Sequence, residues 1–254
     1  MYRALTLTLF ILSAMLTTSC GLKKTASEFL PRKSYVYVQK TVKLRKCLDD
    51  KCMEGGFTAS GSGFIVKITY EGSYIMTASH VCVEDKNQYI GGVEVVSENV
   101  LVETLDGRTY TAEVLDHDPD IDICLMFAEN LTSKVKAARI ADSAPKEGDK
   151  VFNIASPYGI HYNNVVPIFE GRYIGIKGKQ SYYTFDAAPG SSGSMIVNDK
   201  GELIGLLHSV FIKMNVVVVS VNYDDLRAFA HKGIRNHKKD RYNKILLLDT
   251  KLKL

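Results

Sequence analysis

The 254-residue chain has only 6 prolines against 19 glycines, and it shows no internal repeat and no low-complexity stretch. Collagen-like, array-type and largely disordered chains are thereby excluded. Charge of one sign is also scarce. Lys and Arg number 32 against 28 Asp and Glu, a net +4, too small a surplus to mark a nucleic-acid binder by itself. The apolar stretch at residues 4–16 is too short for a comfortable membrane span. The five cysteines lack tandem C-x-x-C or C-x-x-H spacing, so no metal is expected, and nothing points to a cofactor. Long amphipathic helices are missing between about residues 34 and 221. Only YDDLRAFAHK, residues 223–232, carries a helical stripe, through Leu226, Phe229 and Ala230. With 46% apolar residues the chain can bury a core, as one or two domains.

The two ends read differently from the middle. Arg3, the apolar residues 4–16 and the small polar TTSC at 17–20 form a secretory signal pattern over residues 1–19. The junction Ser19, Cys20, Gly21 resembles a bacterial lipobox, in which Cys20 is acylated, although Thr17 stands where that motif carries Leu. Acylation would leave residues 20–33 as a tether to the membrane; plain secretion remains the alternative. At the other end, residues 231–254 hold eight Lys or Arg against two Asp, a formal +6 with neutral His. The stretch 233–254 reads as a basic, solvated tail. Its apolar residues 245–248 are placed to dock as a short strand or helical turn, and no nucleic-acid partner is expected.

Between the ends, short apolar runs alternate with Gly, Asp-Gly and Pro-containing turns. Strands are expected at 34–42, 63–70, 73–78, 93–98 and 101–116, the last a hairpin about Asp106 and Gly107. Further strands are expected at DICLMFA, KVFNIAS, YYTFDA, SMIVND, GELIGLLHSV and NVVVVSV, with a second hairpin signal at Asp199 to Gly201. Many short strands and one late helix give an all-β sandwich or barrel.

Three islands carry chemistry: TASH at 77–80, DHDPDIDICLMFA at 116–128 and PGSSGSMIV at 189–197. Each alone is an ordinary strand end or turn. Together they place His80, Asp122 and Ser192 in that order. With SGSGFIV before the first, EGDKVFNIASPYG at 147–159 and NDKGELIGL after the last, the chain resembles the chymotrypsin-fold, trypsin-like serine proteases, in particular the protease domain of Deg/HtrA-type enzymes. The resemblance covers about residues 37–230. It implies two six-stranded antiparallel β-barrels with a C-terminal helix over 34–232, and a secreted or membrane-tethered endopeptidase of the bacterial cell envelope acting on protein or peptide substrates. It further implies His80 as base, Asp122 as its partner with Asp120 as fallback, Ser192 as nucleophile, and the N–H groups of Gly190 and Ser192 as the oxyanion hole. A protease-fold binding protein without activity is the alternative, because residue identity is not geometry.

Departures from the family pattern are local. Ser194 stands in place of the second Gly of G-x-S-G-G. Ser191 precedes the nucleophile where trypsin has the Asp that pairs with a new N-terminus, so no activating cleavage is expected. About 24 residues follow the protease region, too few for a PDZ domain. Asp186, six residues before Ser192, would select Lys or Arg if buried in the specificity pocket, or would match the Asp-Ala-Ala of aliphatic-preferring relatives. His208 would line that pocket and resembles the His of glutamyl endopeptidases. Basic, aliphatic and acidic preferences all stay open. Cys47 and Cys52 are spaced to staple a local loop. Under the resemblance, Cys82 and Cys124, each two residues after a triad member, come close enough for a disulfide or remain two buried thiols.

Overall fold

The computed structural model describes residues 29–252 apart from 49, 50, 90, 212 and 213. The signal pattern at 1–19, Cys20 and most of the 20–33 tether lie outside the described residues. The first barrel contains β1 (Tyr35–Leu48), β2 (Lys51–Ile68), β3 (Gly72–Thr77), β4 (Val93–Thr104), β5 (Thr109–Asp118) and β6 (Ile123–Glu129), closed in the order β1-β2-β3-β6-β5-β4. The second contains β7 (Lys150–Ile154), β8 (Ile168–Lys177), β9 (Gln180–Thr184), β10 (Met195–Asn198), β11 (Leu203–Phe211) and β12 (Met214–Val221), closed as β10-β11-β12-β9-β8-β7. All pairings are antiparallel. Two closed six-stranded barrels and a C-terminal helix are the expected fold class, and closure leaves no sheet edge unpaired.

Alternation built the strands that sequence reading finds. In β1, buried Val36, Val38 and Val42 share one face. The Asp106–Gly107 hairpin forms as expected, with Gly107 at φ 81° and Glu103 opposite Thr109. One strand, β8, has no counterpart among the runs read from the sequence. Only Tyr173 in it is buried, and Gly171 sits where any Cβ would strike the backbone carbonyl of Thr184 on β9. The apolar residues of β8, Ile168, Phe169, Tyr173, Ile174 and Ile176, fall on both faces and are broken by Glu170, Gly171, Arg172 and Gly175, so they give no clean alternation. Strands β1 and β2 also run beyond the barrel as an exposed arm, with Cys47 opposite Cys52 and a disulfide between them.

One apolar cluster fills the first barrel and continues across the barrel interface through Phe152, Ile154, Met195 and Leu206; a second, around Tyr173, Tyr183 and Ile196, fills the other barrel. The helix expected over 223–232 does not stop there. The helix α2 runs Tyr223–Leu252 and returns to the first barrel. Gly233 abuts Leu125 so closely that a Cβ would meet its Cδ2 at 2.5 Å. His237 packs against Tyr74 and Phe127 and reaches the Tyr74 hydroxyl at 3.1 Å. Arg241 pairs with Glu71 and Glu129 and lies over the Phe127 ring. Gly233 reads as a helix stop, and the contact face beyond Ile234 relies on His237 and Arg241, so periodicity alone ends the helix early.

Removing residues 233–254 should therefore expose the Tyr74 and Phe127 faces and cost on the order of 2 kcal/mol or more. The expected readout is a thermal midpoint several degrees lower by circular dichroism. An unchanged midpoint would show that the added turns contribute nothing to the barrel.

Candidate active site

His80 lies on the single helical turn α1 (Ser79–Cys82), which leaves β3 immediately before it. The turn is tied down through the Cys82–Cys124 disulfide, which links it to β6. Asp122 stands at the entry to β6 in the left-handed region, φ 53°, a conformation that Asp tolerates better than most side chains and that aims it back from the strand. Its carboxylate accepts twice from the same residue, from the His80 backbone N–H at Oδ1 (3.0 Å) and from the imidazole Nδ1–H at Oδ2 (2.7 Å). Those two bonds fix both the backbone and the ring, and they select the tautomer with Nε2 free to accept a proton. Burial pushes the Asp122 carboxyl up, but the imidazole hydrogen bond, the His80 charge, the His80 N–H and the more distant His208 together bring it below the ordinary carboxylate value. Asp120, the fallback, is exposed; the partner of His80 is Asp122.

Ser192 sits at the tip of the turn entering β10. Gly193 behind it has φ 83°, and a Cβ there would collide with Thr77 Oγ1 and the Ser62 carbonyl, so only glycine fits. Ser62 on β2 joins this turn to the first barrel. Its N–H donates to the Ser192 carbonyl (2.8 Å), its hydroxyl donates to the Gly190 carbonyl (2.9 Å), and its carbonyl accepts from Thr77 Oγ1 (2.8 Å). Sequence reading quotes the SGSG run but assigns Ser62 no part. On the other flank the Pro189 carbonyl accepts from the Tyr158 N–H at 2.6 Å, which turns the Gly190 N–H the opposite way across the trans peptide. Among the described residues neither the Gly190 nor the Ser192 N–H has an acceptor, leaving two donors free on one turn. Ser194, the departure from the second Gly, is fully buried and its hydroxyl accepts from Asn153 Nδ2 at 2.7 Å. The extra side chain is absorbed in the core instead of blocking the turn.

The Ser192 hydroxyl points to the His208 carbonyl at 3.5 Å. The two specificity candidates differ in burial. Asp186 is exposed. His208, on β11, is only 10% exposed and directs Nδ1 at the Asp122 carboxylate, 3.8 Å from Oδ2. A cavity of about 200 Å³ beside it is lined by Asp120, Asp122, Lys177, Lys179 and Gln180. A larger groove of about 800 Å³ opens on the other side of His80, bounded by Glu84, Gln88, His117 and Pro119. Among the described residues no group of three or more His, Cys, Asp or Glu is gathered as for a metal ion.

His208 is held below the ordinary imidazole value by burial, opposed by the Asp122 charge and assisted by His80. Its lowered value means that the unfolded chain binds that proton more tightly, so its contribution is complete above about pH 6.5 and lost as pH falls toward the folded value. Asp122, also lowered, contributes fully above about pH 4 and loses its share as pH falls through its folded value. The thermal midpoint should drop on acidification from pH 7 toward pH 4, and His208→Gln should flatten the upper part of that drop. A wild-type midpoint that stays level from pH 7 to pH 5 would contradict the assignment.

Comparison with known proteins agrees with this geometry. Residues 61–206 match the trypsin-like peptidase domain family. The probable periplasmic serine endoprotease DegP-like protein of Buchnera aphidicola subsp. Schizaphis graminum is 32% identical over 160 residues, 61% of this chain and 30% of that protein. The periplasmic serine endoprotease DegP of Salmonella typhimurium is 30% identical over 156 residues, 59% of this chain and 30% of that protein. The chain thus spans about a third of the length of the curated relatives it matches. Among solved structures, the serine endoprotease from Yersinia pestis superimposes with a TM-score of 0.60 at 20% identity, over 85% of this chain and 69% of that one. A protein of M. tuberculosis solved in an inactive form gives 0.56 at 16%, over 80% and 87%. Both of these are likenesses of fold. With two closed barrels, the His80–Asp122 pair and a family match over more than half its length, the chain belongs to the trypsin-like peptidase family.

Proposed function

We propose that the protein is a serine endopeptidase that cleaves peptide bonds through an acyl-enzyme formed on Ser192. The observation that carries this reading is the double contact of Asp122 with His80, which prepares one imidazole as a base. A serine hydroxyl is a poor nucleophile at neutral pH. Turning Ser192 Oγ from the His208 carbonyl toward Nε2 gives His80 the proton as Oγ attacks the substrate carbonyl, and Asp122 stabilises the imidazolium so formed. The oxyanion of the tetrahedral intermediate is received by the free N–H groups of Gly190 and Ser192. His80 then returns the proton to the leaving amine, and water takes the same route in deacylation. A small aliphatic residue before the cut is the preference best supported, since Asp186 is exposed and His208 faces the triad.

The orientation of the Ser192 hydroxyl toward His208 favours a second reading, a latent enzyme or binding protein that keeps the fold. The relatives' periplasmic names support a place in the cell envelope, with Cys20 as the acylated tether. An intact mass of the mature protein that includes acyl chains on Cys20 is the expected result; an unmodified mature N-terminus would remove the anchor.

Fluorophosphonate labelling separates the two catalytic readings. Ser192 should be labelled in the wild-type protein and left unlabelled by Ser192→Ala, while His80→Ala should slow labelling drastically and Asp122→Asn by about a thousandfold or more. A peptide library should then show aliphatic enrichment before the cut. Folded wild-type protein that takes no label would put the binding-protein reading first.

A further inference from the structure

We infer that Lys40 is a positioning residue for His80, an inference that rests on the protease reading above: its buried ammonium clamps the carbonyl side of the turn that carries the imidazole. Lys40 occupies an inward position of β1, between buried Val38 and Val42 on the same face. Alternation alone would put an aliphatic residue there. The side chain is 2% exposed, an expensive place for an ammonium unless every hydrogen is matched. All three are matched. Nζ donates to the His80 carbonyl (3.0 Å) and to the Val83 carbonyl (2.8 Å), and pairs with Glu84 Oε2 at 2.7 Å. The other Glu84 oxygen accepts from Gln88 Nε2 and from the Tyr89 hydroxyl.

The place of those carbonyls gives the arrangement its meaning. A helix of one turn leaves its last carbonyls without intrahelical donors, and α1 is such a turn. Lys40 satisfies one of them, that of His80, and also the carbonyl of Val83, the extended residue that ends the turn, from inside the barrel. The peptide groups flanking His80 are therefore held from both sides: the His80 N–H donates to Asp122 Oδ1, and the His80 C=O accepts from Lys40. An ion pair this deep is weak evidence for stability, because well-packed apolar substitutes are often as stable or more so. Direction is what an apolar pair cannot supply. Without the ammonium, α1 keeps its disulfide, its apolar contacts and the Asp122 bonds on its N–H side, while its carbonyl side is left without a donor and can tilt on the barrel. Misplacing a reacting group by about 1 Å costs on the order of a hundredfold in rate.

The test pairs two variants with the wild-type protein. Lys40→Met combined with Glu84→Leu removes both charges and keeps the volume apolar. Its thermal midpoint should stay within a few degrees of wild type while fluorophosphonate labelling of Ser192 slows by about tenfold or more, and peptide hydrolysis should lose kcat at unchanged KM. Glu84→Gln keeps Lys40 on both carbonyls and should label within about twofold of wild type even where it melts lower. A folded double variant labelled at the wild-type rate would overturn the inference, as would a Glu84→Gln protein whose labelling falls as far as that of the double variant. If the double variant does not fold, Lys40→Met in the Glu84→Gln background replaces it: labelling about tenfold or more slower than Glu84→Gln alone supports the clamp, and an equal rate rejects it. Wild-type protein that takes no label counts against the proposed activity only. The clamp is then read from the downfield proton on His80 Nδ1, expected in wild type and lost in the double variant; its persistence there rejects the inference.

Discussion

Everything at the site depends on one carboxylate reaching one residue twice. Asp122 meets the backbone and the ring of His80 together, and that requires the β5–β6 turn to present its side chain backward. The left-handed backbone at Asp122 does this, at a cost that Asp bears more cheaply than a branched residue. Once both bonds form, the imidazole has one tautomer and one orientation. The disulfide between Cys82 and Cys124 closes the same short circuit covalently, from the turn to the strand. In the unfolded chain such a link across 42 residues restricts the ensemble by roughly 3–4 kcal/mol in the chain-entropy account. Geometry and stability are thus set at the same place.

Neither barrel holds the site alone. His80 and Asp122 come from the first barrel and the Gly190–Ser192 turn from the second, so their separation depends on how the barrels seat. Apolar contact through Phe152, Met195 and Leu206 brings the barrels together, but burial of apolar area has no preferred direction. Ser62 supplies it. The Ser62 backbone N–H binds the Ser192 carbonyl and the Ser62 hydroxyl binds the Gly190 carbonyl, and Ser156 shares the second contact. The Ser62 and Ser156 donors are fully buried, so each one left without an acceptor would carry a desolvation cost of about 1–3 kcal/mol. A register error between barrels would break several at once. The polar groups at the interface restrict the barrels to few arrangements, while the apolar ones provide most of the driving force.

The legible part of this architecture is the part that obeys a period. Alternating runs gave away most strands, and Asp-Gly marked the β4–β5 hairpin, because those signals are local. Strand β8 gives no clean period, since its apolar residues fall on both faces and are interrupted by Gly171 and Gly175. The far half of α2 escaped because its contact face is built from Gly233, His237 and Arg241, which read as a stop and two surface residues. At the candidate site, the His80–Asp122 pair was legible through order and neighbouring motifs, not through either residue alone. Asp186 is placed by its distance along the chain from Ser192 and His208 by its resemblance to the His of glutamyl endopeptidases, and neither signal reports which way a side chain turns. Lys40 and Ser62 gave no signal at all. A lysine in a strand reads as solvated, and a serine between glycines reads as a turn.

Those last two residues share a physical property that explains why they are hard to read. Each does its work through backbone carbonyls of segments distant in sequence: Lys40 through His80 and Val83, Ser62 through Gly190. Backbone carbonyls are the same in every residue, so the sequence of the receiving segment holds no trace of the donor. The donor itself is visible only as a polar side chain on an apolar face, and that anomaly appears only once the face is known. At Lys40 the face is set by Val38 and Val42, so the alternation that makes β1 recognisable also makes its one inward cation an exception. The period identifies the barrel, and the departures from the period identify what the barrel holds in position. Buried donors aimed at carbonyls beside a reacting group are therefore the places where substitution should alter rate more than stability.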